Sequence, residues 1–447
     1  MLEEHSILGA FADAEILHYL VLKAGVIVDL NVARENVAVA SQARHFPGLD
    51  WDEREMRDIY GVQFTDHPDP RPLLILNGVF PEAVVAQGKG ITNFIVGPVH
   101  AGIIEPGRFT FSSGGESVIH LDAQLSYARR NIEGFLEGRD AAESAWHVAR
   151  ICAACSVARS WSYARGLEAL AGVEIDCVSE LVRMTCAEME RAYNHLFDIA
   201  VSSAGAGFGF GLTRGLQLKE RFARLNEVAF GHRYLFDVIV PGGVRPGMLQ
   251  NRISLEHALC DFEHDVINYC TEVFDNPGVS SRFAKTGVLT DEYAHAYAGV
   301  GPAARASGGS LDIRLDAPYG AYREMAPIRM QRSQGDVAAR CHIKRDEMLD
   351  ALRLIKAALH ALGDARIPEP KPLIVGAGNS AMVTEGPRGA ETVYVCCNAE
   401  GRIERFHAIS ASYRNWPLVI KATQNTIVPD FPLVNKSFNL CYACVDR

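Results

Sequence analysis

Two Cys-x-x-Cys pairs lie far apart in this chain: Cys152-Ala153-Ala154-Cys155, and Cys441-Tyr442-Ala443-Cys444 close to Arg447. On a turn or a helix end, each pair can aim both sulfurs at one ion. Together they form a soft, anionic set that suits nickel, iron or zinc and not magnesium or calcium. If the pairs share a site, the intervening chain must fold residue 441 back beside residue 155. Thiolates about 2.3 Å from a metal put neighbouring sulfurs about 3.5 to 4 Å apart, and pairs more than about 8 Å apart could share no ion. Chain ends fray, so the segment carrying Cys441 and Cys444 is expected to be docked, with Arg447 held by hydrogen bonds.

Spacing alone leaves three readings open. A zinc ribbon usually separates its pairs by about 15 to 20 residues, so zinc here needs the whole fold to assemble its site. A redox metal centre is the second reading, and chance the third. A thioredoxin-like use would need a strand–helix context at both pairs. The count of eleven cysteines is odd, and no basic segment with an apolar run opens the sequence. Both features point to a reducing compartment rather than a disulfide framework. Cys177, Cys186, Cys260, Cys270, Cys341, Cys396 and Cys397 have no ligand spacing and are expected to be small buried hydrophobes. A net charge of -10 argues against a nucleic-acid surface, and no apolar stretch approaches the roughly 18 residues a membrane span needs.

The expected fold class is α+β: a small N-terminal α/β domain, residues 1–88, then a large mainly helical bundle with small peripheral β-sheets, residues 89–447. Ala10 to Ala24 carries Phe11, Ile16, Leu17, Leu20 and Leu22 in a helical pattern, while Val26 to Val32 and Val37 to Ser41 read as strands. Asp50 or Asp52 can cap a charged, exposed helix that Gly61 ends. Arg54 and Arg57, interleaved with Glu53, Glu55 and Asp58, imply ion pairs. Strands are expected at Asn93–Val96, Arg108–Ser112 and Ser117–Leu121. Between the first two, a Gly/Pro-rich loop from Gly97 to Gly107 carries His100 and Glu105. Ile103, Ile104 and Pro106 around Glu105 imply burial, and a buried carboxylate tends to a raised pKa suited to proton transfer. Long helices are expected over Val178–Ile199 and Ile253–Phe274. Gly301–Gly308 reads as a loop, and a further helix runs from Asp336 to Gly363. A hairpin over 391–411 then gives way to a less regular segment leading to Cys441.

Trp51-x-Glu53-Arg54-Glu55, then Asp58-x-x-Gly61, then His67-Pro68-Asp69 resembles the signature of the 30-kDa-type subunit of respiratory complex I, a docking unit. Residues 89–447 resemble the large subunit of group 4 energy-converting nickel–iron hydrogenases of the formate hydrogenlyase type, which is similar to the 49-kDa subunit of complex I. The residues carrying that likeness are Arg150-x-Cys152-x-x-Cys155, Cys441-x-x-Cys444 with Asp446-Arg447, Gly97-Pro98-x-His100 with Glu105-Pro106-Gly107, and Glu385-Gly386-Pro387-Arg388-Gly389. Scaffold motifs at Glu188-x-Glu190-Arg191, Asn194-His195, Pro241 to Val244, Arg305 to Gly308 and Gly335-Asp336 follow in order.

That resemblance implies a nickel–iron centre held by Cys152, Cys155, Cys441 and Cys444, with Cys155 and Cys444 bridging to an iron that carries carbon monoxide and cyanide. It implies Cys441 as a proton acceptor, Glu105 as the relay and Arg388 over the site. The chain holds no cysteine set for an iron–sulfur cluster. Electrons are therefore expected from a small subunit carrying a 4Fe-4S cluster and from ferredoxin-like subunits, docked to membrane ion-translocating subunits. The expected location is cytoplasmic, peripheral on the inner face of the membrane. Arg447 stands where relatives are cut, implying either processing or a chain encoded without an extension. The family usually has Gly where Ala153 and Ala154 stand, His at position 159, now Arg159, and Asp-Pro at 439–440, now Asn439-Leu440. Arg159 puts a permanent charge where a titratable ring is usual. The alternatives are a quinone-reducing module of complex I type, whose second loop histidine is replaced here by Ile104, and a structural relative holding zinc or nothing.

Overall fold

The computed structural model describes residues 6–34, 38–76, 78–102 and 104–447. Val37, in an expected strand, and Ile103, beside Glu105, lie outside them.

Strands β1 (Ser6–Ala12), β2 (Ile16–Lys23) and β3 (Val26–Ala33) form an antiparallel sheet, with Leu17 opposite Val32. The expected helix over Ala10–Ala24 is thus two strands, turned at Asp13, whose carboxylate accepts the Glu15 and Ile16 N–H groups at 2.8 and 2.7 Å. Both faces of β1 and β2 are covered. Leu17, Tyr19 and Val21 join a small N-terminal core, while Phe11, Leu20 and Leu22 join the main one. A strand buried on both faces shows no alternation, so periodicity cannot separate it from a helix. Strand β4 (Val39–Ala40) pairs parallel with β5 (Phe64–Thr65), and between them lies α1 (Asp50–Tyr60), ended by Gly61. This helix is not the expected exposed one: Asp52, Glu53 and Arg54 are buried. Arg54 bridges Asp50 at 3.3 Å and Asp69 at 2.9 Å.

A second antiparallel sheet contains β6 (Ile91–Val96), β7 (Arg108–Gly114) and β8 (Ser117–Gln124). Then follow α2 (Ile132–Leu136), α3 (Ala141–Ala149), α4 (Ser156–Ala171), α5 (Cys177–Gly205) and α6 (Gly209–Phe230). The tight ribbon of β9 (Ile239–Val240) and β10 (Gly243–Val244) leads to α7 (Arg252–Phe274), α8 (Pro277–Phe283) and α9 (Asp291–Ala296). Gly301–Arg305, read from sequence as a loop, is the short helix α10, and α11 (Ile313–Asp316) follows it. Helix α12 (Val337–Leu362) starts at Asp336, whose carboxylate accepts the Ala339 N–H at 2.8 Å.

The expected hairpin is the last two strands of a three-stranded sheet of β11 (Gly378–Gly386), β12 (Gly389–Cys397) and β13 (Ile403–Ile409). The segment beyond it is not irregular. It holds α13 (Ala411–Thr423) and α14 (Phe431–Phe438). Pro417 lies inside α13, where a missing N–H ordinarily argues against helix.

The main core surrounds α5 and α12, which lie side by side. Its polar interior is paired: Glu188 with Arg191 at 3.1 Å and Arg314 at 3.1 Å, His195 with Glu347 at 3.0 Å, and Lys344 with Asp198 at 2.6 Å. No helix among the described residues is long and apolar enough to cross a membrane.

Candidate metal centre

Cys152 follows α3 in extended backbone, and a 3-10 turn over Ala153–Cys155 brings Cys155 to the N-cap of α4. Glu190 accepts the Val157 and Ala158 N–H groups of that first turn, at 2.7 and 3.2 Å, so the backbone donors there are already engaged. The second pair follows α14, which ends at Asn439 in the left-handed conformation. The Cys155 and Cys444 sulfurs are 3.5 Å apart. Those of Cys152, Cys155 and Cys444 all lie within 4.8 Å of one another, and half-buried Cys441 packs against them. All four are free thiols. The other cysteines divide: Cys186, Cys270, Cys341 and Cys397 are buried as expected, whereas Cys177 and Cys260 are exposed and Cys396 is half-buried, contrary to expectation.

The second pair is fastened along its backbone. The Cys441 N–H donates to Ser412 Oγ at 3.0 Å and the Ala443 N–H to Glu105 Oε2 at 2.9 Å. Arg130 donates to the carbonyls of Ile151, at 2.7 Å, and Ala443, at 2.8 Å, tying the two cysteine segments together. Tyr442 packs its ring on Trp416 with centroids 4.9 Å apart. Only glycine fits at 107, since a Cβ there would come within 2.6 Å of the Tyr442 ring. Arg447 is 4% exposed and hydrogen-bonded to Glu133 and Glu55, so the expected docking of this segment holds.

Arg159, 1% exposed, donates from Nη2 to Glu391 at 2.7 Å and to the sulfurs of both Cys155 and Cys444 at 3.4 Å. Its Nη1 is buried with no partner among the described residues. Hydrogen bonds from Cys152, Cys155 and Cys441 hold the Cys444 thiol well below its ordinary range, with Arg159 adding to the effect. At Cys155, hydrogen bonds with Cys152, Cys441 and Cys444, with burial, push the thiol well up. Burial raises Glu391 to about 7 against the pull of Arg159.

Arg388 donates to the Asn439 carbonyl and, at 3.2 Å, to Asn194 Oδ1, and lies 3.6 Å from Asp198. Asn439 donates its amide N–H to Asp198, which Lys344 also holds. Asn439 therefore keeps the second pair tied to α5 and α12. The backbone at Gly301, with φ +65°, presses so close to the Arg388 carbonyl that a Cβ would lie 2.1 Å from it.

Two loop residues differ from expectation. Glu105 is exposed, as is Ile104 at 48%. His100 closes the base of this loop, its Nε2 meeting the Gly107 carbonyl at 2.7 Å. Glu105 nevertheless touches the second pair through Ala443. Sequence reasoning passed over Glu391, Asp198, Ser412, Arg130 and Glu133. The one available signal was a charge inside an apolar run, as at Glu391 before Val393-Tyr394-Val395 and Asp198 within Leu196-Phe197-Asp198-Ile199.

The profile of the respiratory-chain NADH dehydrogenase 49 Kd subunit matches residues 207–377, and that of the 30 Kd subunit residues 11–85. Formate hydrogenlyase subunit 5 of Escherichia coli is 25% identical over 95% of this chain and 80% of its own length. The carbon monoxide-induced hydrogenase of Rhodospirillum rubrum is 26% identical over 79% of this chain and 98% of its own. In fold, the chain is similar to one in the structure of the membrane-bound sulfane sulfur reductase, an archaeal respiratory membrane complex. The TM-score is 0.74 at 22% identity, covering 80% of this chain and 99% of that one. The chain thus unites in one polypeptide regions matching the 30 and 49 Kd subunits of respiratory-chain NADH dehydrogenase, and over nearly its whole length it is homologous to hydrogenase subunits.

Proposed function

We propose that this chain is the catalytic subunit of a membrane-associated, energy-converting nickel–iron hydrogenase, reversibly reducing protons to hydrogen. The observation that carries the reading is the convergence of two sequence-distant cysteine pairs into one buried sulfur cluster. The donor set fits the group: sulfurs 3.5 Å apart at Cys155 and Cys444 can share an ion at about 2.3 Å from each. The buried Arg159 offsets the negative charge that four sulfurs accumulate. Cys152 and Cys441 would be terminal nickel ligands, and Cys155 and Cys444 would be shared with iron carrying carbon monoxide and cyanide. Such a centre supplies the redox and Lewis-acid chemistry of hydrogen cleavage and formation.

The chain's own groups handle protons, charge and position. Cys441, the least buried of the four, receives a proton at Sγ. Glu105, exposed and bonded to the Ala443 N–H, carries it to solvent, so burial of the relay is not needed. Arg388, anchored by Asn194, Asp198 and the Asn439 carbonyl, supplies a fixed cation beside the cluster. Residues 1–88 form the docking unit in this reading, and residues 89–447 the unit that builds the centre. Electrons arrive through a small subunit with a 4Fe-4S cluster and ferredoxin-like subunits. The assembly sits on the inner face of the membrane through ion-translocating partners. Hydrogen-dependent reduction of a one-electron dye by the purified complex tests the activity. It is expected in the wild type and absent after Cys441→Ser or Cys444→Ser; an inactive wild-type complex with quinone reductase activity would favour the quinone-reducing alternative.

A further inference from the structure

We propose that helix α1, in the N-terminal region, positions the second cysteine pair, acting through Arg447 and the first turn of α13. Two buried ion pairs reach out from one face of this helix. Asp52 accepts from Arg414 at 2.7 Å, and Glu55 accepts from Arg447 Nη2 through both oxygens, at 3.0 and 2.9 Å. The same guanidinium donates from Nε to Glu133 of α2 at 2.8 Å and lies over the Tyr413 ring, 4.5 Å from its centroid. Glu133 is fixed independently by the Ala408 N–H at 3.0 Å and by His407 at 3.0 Å.

Arg447 is three residues beyond Cys444. A planar fork held by two carboxylates on separate helices leaves the intervening turn little freedom. The first turn of α13 adds a second connection. Ser412 accepts the Cys441 N–H, Tyr413 underlies Arg447, and Arg414 pairs with Asp52. A single helix from the first part of the sequence therefore holds both sides of the terminal sulfur pair. Glu55 and Asp52 touch no sulfur and act by position alone. Since the contacts involve only this chain's own side chains and backbone, the inference stands whether or not the site holds nickel and iron.

The test uses the full-length chain stripped of metal and the rate at which each cysteine is alkylated, read peptide by peptide by mass spectrometry. Cys186 and Cys341, fully buried in the main core, report global unfolding, and exposed Cys177 and Cys260 report reagent. Glu55→Gln removes one of the two carboxylates that hold the Arg447 fork and leaves only Glu133, so it is expected to speed labelling of Cys441 and Cys444 by at least about tenfold while Cys186 and Cys341 stay protected. Glu55→Asp, keeping the charge, is expected to fall between. If Glu55→Gln exposes the core cysteines, Arg447→Lys, which keeps a cation but loses the fork, serves as the second variant with the same selective expectation. Unchanged labelling of Cys441 and Cys444, or labelling that rises only together with Cys186 and Cys341 in both variants, would overturn the proposal.

Discussion

Arg159 sets a permanent cation between the two cysteine pairs. Its Nη2 is shared among Glu391 and two sulfurs, so the residue is both a charge partner and a spacer between the cysteine pairs. Arg159→Gln leaves Glu391 buried without a cation, and we expect a loss of roughly 3 kcal/mol or more, seen as a lowered Tm. Adding Glu391→Gln should restore much of it, because the stranded carboxylate is then gone; a double variant no more stable than the single would count against a shared charge pair. At Glu105 the expectation is the reverse in kind. Glu105→Gln preserves shape and the exposed loop, so bound metal should be unchanged while hydrogen-dependent activity falls by about 10²-fold or more. Wild-type turnover in that variant would show that protons leave by another group.

At the scale of elements, α12 was legible because Asp336 and Gly363 frame a long apolar stripe, and α5 because apolar and ionisable residues recur at helical spacing over Val178–Ile199. Strands β1 and β2 were not, since burial on both faces erased the alternation that marks a strand. Helix α13 was hidden by Pro417, whose cost is outweighed by a helix buried along most of its length. The ion pairs joining α5 and α12 give a pH expectation. Burial favours the neutral form of Glu347, but Arg305, His195 and Arg191 outweigh it and hold the carboxyl near 2. A depressed carboxyl contributes stability above its unfolded value of 4.5, and loses it as pH falls from there through about 2. That contribution is on the order of 3 kcal/mol. Tm should therefore drop steeply below about pH 4.5 in the wild type and less steeply in Glu347→Gln, measured by calorimetry. Parallel acid limbs would show that Glu347 does not govern this transition.

For the whole molecule, the sequence carried the two cysteine pairs, the α+β organisation and the order of motifs. It did not carry which charges would meet. Glu55 read as one residue of an exposed, alternating helix, and nothing in its neighbourhood indicates Arg447, from the far end of the chain, as its partner. Glu105 erred the other way, because apolar neighbours in a loop say nothing about whether that loop folds inward. Such pairings depend on the tertiary fold, so local pattern could not supply them. In the proposed function, the fold brings Cys441 and Cys444 beside Cys152 and Cys155 as one nickel–iron site. Metal analysis combined with infrared spectroscopy of the purified complex tests it most directly. About one nickel and one iron per chain are expected at this site, with infrared bands from carbon monoxide and cyanide that vanish with Cys155→Ser or Cys444→Ser; zinc alone at the site, with no such bands, would contradict the nickel–iron reading.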